Sequence, residues 1–198
     1  MARTMSLKLW LIRHGQSMVN SGVWTDKPHA TTLSPLGEET AQAAAAKVIE
    51  EPTVIISSPL IRAVDSANYI RKVWPEVASV IWPIEEFIYL SPAKLSVLTK
   101  NQRNELISAY WRTADPSYCD AQDTESFKTF ISRVENFYTQ VSKLQGFVVV
   151  VGHGQFFKAF LLGLKFGFSP DKVWMKRYRE QELKSAIKNS EIIELYFN

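Results

Sequence analysis

Residues 147–155 read Phe-Val-Val-Val-Val-Gly-His-Gly-Gln, and residues 7–16 read Leu-Lys-Leu-Trp-Leu-Ile-Arg-His-Gly-Gln. Each is a short apolar run that stops at a histidine followed by glycine. Four consecutive valines carry no polar alternation, which suits a strand buried on both faces of a sheet. Leu7–Ile12 reads the same way, and further strands are expected over Thr53–Ser57, Val77–Ile84 and Ile192–Phe197. Helical patterns lie between them. One starts at Ser34-Pro35, runs through the Ala-rich Glu39–Ile49 and stops by Pro52; a second is opened by Ser58-Pro59 and ended by Trp74-Pro75. Others are expected over Leu95–Arg112, Thr124–Leu144 and Gln155–Leu164. Strands alternating with helices predict an α/β fold, a three-layer sandwich whose mostly parallel central sheet carries helices on both faces. Residues 1–198 are expected to form a single domain with a small cap insertion at about 91–123, where the alternation breaks off. Tyr110, Trp111 and Tyr118 in that insertion either line a pocket or pack the cap internally.

Composition narrows the class. With 198 residues, 46% of them hydrophobic and 22% charged, the chain has the make-up of a globular protein and can bury roughly 70% of its unfolded surface. Its single cysteine, Cys119, excludes a disulfide framework and a cysteine-based zinc site. No apolar run approaches the roughly 18 residues of a membrane span, and the opening Met1–Met5 with the short run after it is wrongly built for a signal peptide, so a cytoplasmic protein without a membrane partner is expected. The net charge of +3 does not imply nucleic acid. It is concentrated: Lys158–Lys188 holds eight basic residues against three acidic ones, a net of +5, which reads as a solvated helix face or as a rim attracting an anionic substrate.

Both histidines of the opening stretches follow strands, at the carboxyl ends where ligand sites of open α/β sheets form. The glycine after each permits close backbone approach, and the helix near Gln155 turns its free N–H groups to the same place. Ser57-Ser-Pro-Leu-Ile-Arg62 adds an arginine one turn into the helix after the second strand. Arg13, His14, Arg62 and His153 can thus converge, and such a group needs something anionic between its members. A phosphoryl group fits, because arginine matches its oxygens bidentately.

These segments resemble the histidine phosphatase superfamily in its phosphoglycerate-mutase-like branch. Arg13-His14-Gly15-Gln16-Ser17-Met-Val-Asn20 is similar to the family's R-H-G-x-S-x-x-N signature, and Leu33-Ser-Pro-Leu-Gly37 to its helix entry. Ser57–Ala67 resembles its second conserved segment, Val149–Gly154 its second-histidine strand, and the likeness extends to Asn189-Ser190. The resemblance implies a metal-independent phosphomonoesterase with no cofactor, acting on a phosphorylated small molecule. It makes His14 the nucleophile that carries a phosphohistidine, and Arg13, Arg62 and His153 the clamp on the phosphoryl oxygens. Asn20, Ser17, Gly15 and the backbone N–H of Gln155 would complete the phosphate pocket. The proton donor, later the base for water, is placed by the family just after the third strand, at Glu85-Glu86. Side chains alternate along an extended segment, so only one of the two enters the pocket. Glu86-Phe-Ile-Tyr-Leu90 resembles the placement of the acid in related phosphatases, and this resemblance favours Glu86 over Glu85.

Departures favour hydrolysis over transfer between hydroxyls. Ser91–Asp123 offers only Lys94, Lys100, Arg103 and Arg112, and the acidic segment has Glu-Phe where mutases have Glu-Arg. A phosphoglycerate-type mutase and a catalytically silent phosphate-binding module remain the alternatives; oligomeric state is not readable. Other chemistries fail on the residues. Six positions after Cys119 stands Glu125, not the arginine of a cysteine phosphatase, and there is no P-loop, nucleophile elbow or H-E-x-x-H cluster. His29, between Pro28 and Ala30, is expected to face solvent.

Overall fold

The computed structural model describes residues 6–23, 25 and 27–197. The opening Met1–Met5 lies outside them. In chain order the elements are β1 (Leu7–Arg13), α1 (Pro35–Ala45), β2 (Val54–Ser57), α2 (Ile61–Val73), β3 (Ser79–Ile81), α3 (Pro92–Ser96), α4 (Lys100–Thr113), α5 (Phe127–Val141), β4 (Gly146–Gly152), α6 (Gly154–Phe166), α7 (Lys172–Lys184) and β5 (Ile192–Phe197), with one 3-10 turn at Pro28–Ala30. His29 in that turn is exposed.

The five strands form one sheet in the order β3-β2-β4-β1-β5, parallel except for β5, which runs antiparallel to β1. Alternation along the strands splits the core into two layers. Trp10, Ile12, Ile55, Val149 and Val151 face α1 and α2, packing on Ala44, Ala45, Ala63, Ala67 and Ile70. The small alanines let these helices approach the sheet closely. Leu9, Leu11, Ile56, Val148 and Val150 face the other way, against α5, α6 and α7. On α5 the buried residues Phe127, Phe130, Ile131, Val134, Phe137 and Val141 recur at helical spacing. Burial of each such phenylalanine stabilises the fold by about 1.5–3 kcal/mol. The expected α/β sandwich is what is found. Among the described residues no helix is long and apolar enough to cross a membrane.

Several boundaries differ from the sequence expectation for physical reasons. Regular helix in α1 ends at Ala45, after which Lys47 and Val48 donate to carbonyls three residues back, tightening the last turn instead of extending it to Ile49. Ser58-Pro59 does not open α2; Ser58 N–H still donates to Val151 O (3.0 Å) at the strand end, and Leu60 is the N-cap. β3 covers only Ser79–Ile81, since Pro83 has no N–H to continue a ladder. The expected helix Leu95–Arg112 is two helices, because Thr99 and Gln102 form a reciprocal capping box that starts α4. Helix α7, not anticipated, is capped by Asp171, which accepts from Trp174 N–H (2.8 Å).

One backbone contact joins the loop after β1 to the start of α1. A Cβ on Gly15 would lie 2.2 Å from Gly37 O, and a Cβ on Gly37 would lie 1.9 Å from Gln16 O. Ser34 N–H also donates to Gln16 O at 2.8 Å. Because both neighbours are backbone, neither can swing aside. Gly37→Ala is therefore expected to lower stability by at least about 1–3 kcal/mol, read as a reduced urea midpoint at unchanged m value.

Candidate active site

Three strand ends build the site. The parallel register sets Arg13 opposite Gly152, so His14 and His153 leave β1 and β4 at the same height. Their ring centroids are 5.0 Å apart, and His14 N–H donates to Gly152 O (3.0 Å). Arg62, on the first turn of α2, lies between them: its Nε donates to His14 Nε2 (3.2 Å) and its Nη2 is 3.4 Å from His153 Nδ1. All three side chains are buried. Arg13 is anchored through Nη1 to Ile187 O (2.6 Å) and lies against Gly154, where even a Cβ would be 3.2 Å from its Nε. Glycine there lets the guanidinium lie over the first turn of α6.

The partners fix the protons. Gly15 O can only accept, so His14 Nδ1, 2.6 Å away, carries the hydrogen and Nε2 keeps its lone pair. Arg62 can only donate, so His153 Nδ1 accepts from it and Nε2 donates to Ser58 Oγ (2.8 Å). Burial, reinforced by Arg62 and Arg13, holds His14 neutral, with its pKa lowered from 6.5 to about 3. Burial likewise drives His153 well below its usual value, helped by the neighbouring His14, Arg62 and Arg13. Glu86 is pushed the other way. Burial raises its carboxyl above the ordinary range, against the pull of Arg13 and Arg62 and the N–H of Gln155.

Glu86 reaches the site from the segment after β3, with Oε2 3.7 Å from His153 Nδ1 and Oε1 accepting Gln155 N–H at 3.1 Å. Glu85 turns to the opposite side, 3.6 Å from Arg133. A pocket of about 280 Å³ opens beside the group, lined by Arg13, Asn20, Glu86, Gln155, Lys158 and Glu182 among others, with His14, Arg62 and His153 buried behind that lining. Of the remaining sequence candidates, Asn20 stands exposed at its mouth, where its Oδ1 accepts from Ser17 N–H (3.3 Å) and Asn189 Nδ2 (3.2 Å). Ser17 is buried and its hydroxyl accepts Asn20 N–H (3.2 Å), so it shapes the turn. Gln155 N–H is engaged otherwise than expected, held by Glu86, and Gly15 N–H donates to Ser66 Oγ (3.0 Å). Gly15 thus serves through its lack of a side chain, since any other residue would strike Gly37. Tyr110 and Trp111 of the insertion are buried in the core, while Tyr118 is exposed.

Most of the supports carry no signal in the sequence. Arg133 on α5 donates through Nη1 to Glu85 O (3.0 Å) and Pro83 O (3.3 Å), and it pairs with the carboxylate of Glu125. Glu125 N–H in turn donates to Ile88 O (3.0 Å), so the segment that carries Glu86 is held on both sides. Asn189 Nδ2 donates to His14 O (3.1 Å) and Gly15 O (3.3 Å), and Ser190, in a left-handed conformation at φ 58°, donates its N–H to Arg13 O (3.0 Å). Only the Asn189-Ser190 pair carried a signal, as part of the family resemblance.

His14, Glu86 and His153 present ligand atoms within 4.8 Å of one another, the one such group among the described residues. Arg62 aims N–H groups at both imidazoles, so a cation there would face a guanidinium at close range. Two guanidinium groups, two imidazoles and the N-terminus of α6 instead favour an anion.

The profile of the histidine phosphatase superfamily (branch 1) matches residues 9–184. No curated protein matches the sequence significantly. Among solved structures, a mycobacterial glucosyl-3-phosphoglycerate phosphatase in complex with VO3 is similar at a TM-score of 0.71 and 24% identity, over 95% of this chain and 92% of that one. The alpha-ribazole phosphatase from Shigella flexneri is similar at 0.69 and 20% identity, over 94% and 89%. A phosphoserine phosphatase from Entamoeba histolytica, in complex with 3-phosphoglyceric acid, is similar at 0.67 and 20%, over 95% and 89%.

The burial of neutral imidazoles has a consequence for stability. Unfolded histidine takes a proton near pH 6.5, whereas folded His14 does so only at about 3, so stability is lost as pH falls through that window. The unfolding free energy, followed through the urea midpoint at unchanged m value, is expected to fall below pH 6.5 by up to about 1.4 kcal/mol per pH unit for each such imidazole. His14→Asn should make the slope shallower. Inorganic phosphate should raise the midpoint of the wild type in the same window and do so far less for Arg62→Ala.

Proposed function

This chain belongs to branch 1 of the histidine phosphatase superfamily, and within it we propose that it is a phosphomonoesterase working through a phosphohistidine on His14. The observation that carries this is the unprotonated Nε2 of His14, kept so by the Gly15 carbonyl at Nδ1; it accepts from Arg62 Nε (3.2 Å), a bond that a phosphoryl oxygen takes over when substrate binds. Nε2 attacks phosphorus, and the bond to the ester oxygen breaks with its electron pair leaving on that oxygen. Glu86, whose raised pKa favours the protonated acid, gives its proton to the departing alkoxide. Arg13 and Arg62 bind the phosphoryl oxygens as charge develops on them, which is the role a metal would otherwise fill, and His153 joins them when the bound anion brings a proton to its Nδ1, a lone pair that otherwise faces Arg62. Water then enters, Glu86 as carboxylate takes its proton, the P–N bond breaks, and its electron pair returns to Nε2. Asn20, Ser17 and Gln155 complete the pocket, Gln155 releasing its N–H from Glu86 when a phosphoryl oxygen competes for it. Residues 91–123 act as a cap on a single domain. The names of the structural relatives, phosphatases of small phosphorylated molecules, support a substrate of that kind.

Hydrolysis of 4-nitrophenyl phosphate and of a simple alkyl phosphate, both with chelator present, tests the proposal. Activity should survive the chelator and fall by at least about a thousandfold in His14→Ala. Glu86→Gln should slow the alkyl ester by about 10²–10⁴-fold and the nitrophenyl ester far less, because nitrophenolate leaves without a proton. For the alkyl ester the wild-type rate should decline as pH rises through the raised pKa of Glu86, where the acid is lost. Chelator-sensitive turnover, or a His14→Ala variant as active as wild type, would contradict the mechanism. Turnover only with a bisphosphate primer and a hydroxyl acceptor would make the protein a mutase.

A further inference from the structure

Resting on the phosphomonoesterase reading, we infer that the substrate's leaving group is apolar, an alcohol or phenol the size of a single ring or a short alkyl chain. The seat for it is a second cavity beside the phosphate pocket, about 210 Å³ in volume, walled by Val19, Ile88, Leu90, Leu95 and Ile107 and bearing no charged side chain. Phe87 lines both cavities. The connection follows from the chain itself. The ester oxygen must lie beside Glu86, and Phe87 and Ile88 follow directly as the wall leading away from it. Across the mouth Asn20 borders the phosphate pocket, and its neighbour Val19 borders the apolar one. A carbon attached to the ester oxygen therefore leaves the phosphate pocket along an apolar wall.

The cavity is preformed. Phe87 stacks on Phe130 with centroids 4.4 Å apart and Tyr89 packs on Tyr110 at 4.5 Å, while Glu125 N–H holds Ile88 O. Tyr110 and Trp111, two of the rings that the sequence offers as pocket walls, thus form its rigid backing behind Phe87 and Tyr89, and aliphatic side chains from α3, α4 and the loop after β1 face them. Its volume lies below the roughly 300 Å³ at the lower end for drug-sized ligands, which sets the size limit on the alcohol. The other way out of the phosphate pocket is polar, past Lys158 and Glu182. Those groups are already engaged: Lys158 Nζ bonds Ser185 Oγ (3.2 Å) and Glu182 pairs with Arg179 (2.5 Å). A charged alcohol would have to displace these partners.

Primary alkyl phosphates from ethyl to hexyl have leaving groups of nearly equal basicity, so their kcat/KM values report binding of the chain. The expected result is a rise of about three- to fourfold per methylene, levelling when the cavity is full, with hexyl phosphate well above 3-phosphoglycerate and glycerol 3-phosphate. Ile107→Asn should reduce the hexyl-to-ethyl ratio at least tenfold. Leu95→Trp, which fills the same cavity without adding a polar group, should also lower it. Both side chains are partly exposed, so neither change empties the core. A flat alkyl series, or preference for the charged esters, overturns this inference alone. No hydrolysis of any ester, 4-nitrophenyl phosphate included, overturns the phosphatase reading and this inference with it.

Discussion

The parallel register of β1 against β4 is the constraint on which the site depends. By setting Arg13 opposite Gly152 it delivers two imidazoles side by side at one sheet edge, with Arg62 from α2 between them. Water is excluded from this place, so charging either ring would cost both its hydration and the repulsion of Arg62. The rings stay neutral, and neutrality is what leaves a lone pair on His14 Nε2. The same crowding of guanidinium groups that suppresses protonation makes the site a strong receptor for an anion. On the proposed mechanism one arrangement therefore serves nucleophile activation and substrate binding together.

Glu86 completes the balance from a different direction. Its carboxyl comes from a segment with no regular structure, yet Arg133 fixes the carbonyls of Pro83 and Glu85 before it and Glu125 fixes that of Ile88 after it. Arg133 also draws Glu85 to its own side, leaving one carboxylate of the pair for the pocket. In the proposed mechanism Glu86 must donate and later accept a proton, and it needs this fixity more than His14 does, since His14 is set by the strand itself. The aromatic stack behind Phe87 extends the same rigid wall to the apolar cavity.

Much of this was legible in the residues, and the exceptions share a cause. β1, β4 and β5 lie within a residue of their expected limits because continuous apolar and β-branched runs admit one structure. Arg13, His14, Arg62 and His153 converge as expected because each sits a fixed short distance from a strand end. Glu86 and Glu85 diverge as alternation requires. Helix α7 was missed because its only buried residues, Trp174, Met175 and Tyr178, are scattered among charges. Arg133 and Glu125 resemble any surface pair in sequence and acquire meaning only when α5 is packed beside a segment nearly fifty residues earlier. The hydrogen bonds taken by Gly15 and Gln155 are likewise products of tertiary approach, which a motif cannot display.

The central claim is that His14 acts through Nε2 because Gly15 holds the proton on Nδ1. Its most direct test is a single-turnover reaction with excess enzyme, quenched in alkali within milliseconds to seconds and digested, with the phosphorylated peptide identified by mass spectrometry and the phosphorus position by ³¹P resonance. The account predicts phosphate on His14, on Nε2, appearing before free phosphate and decaying as phosphate is released. Phosphate on Nδ1, on His153, or free phosphate formed with no covalent intermediate would contradict it.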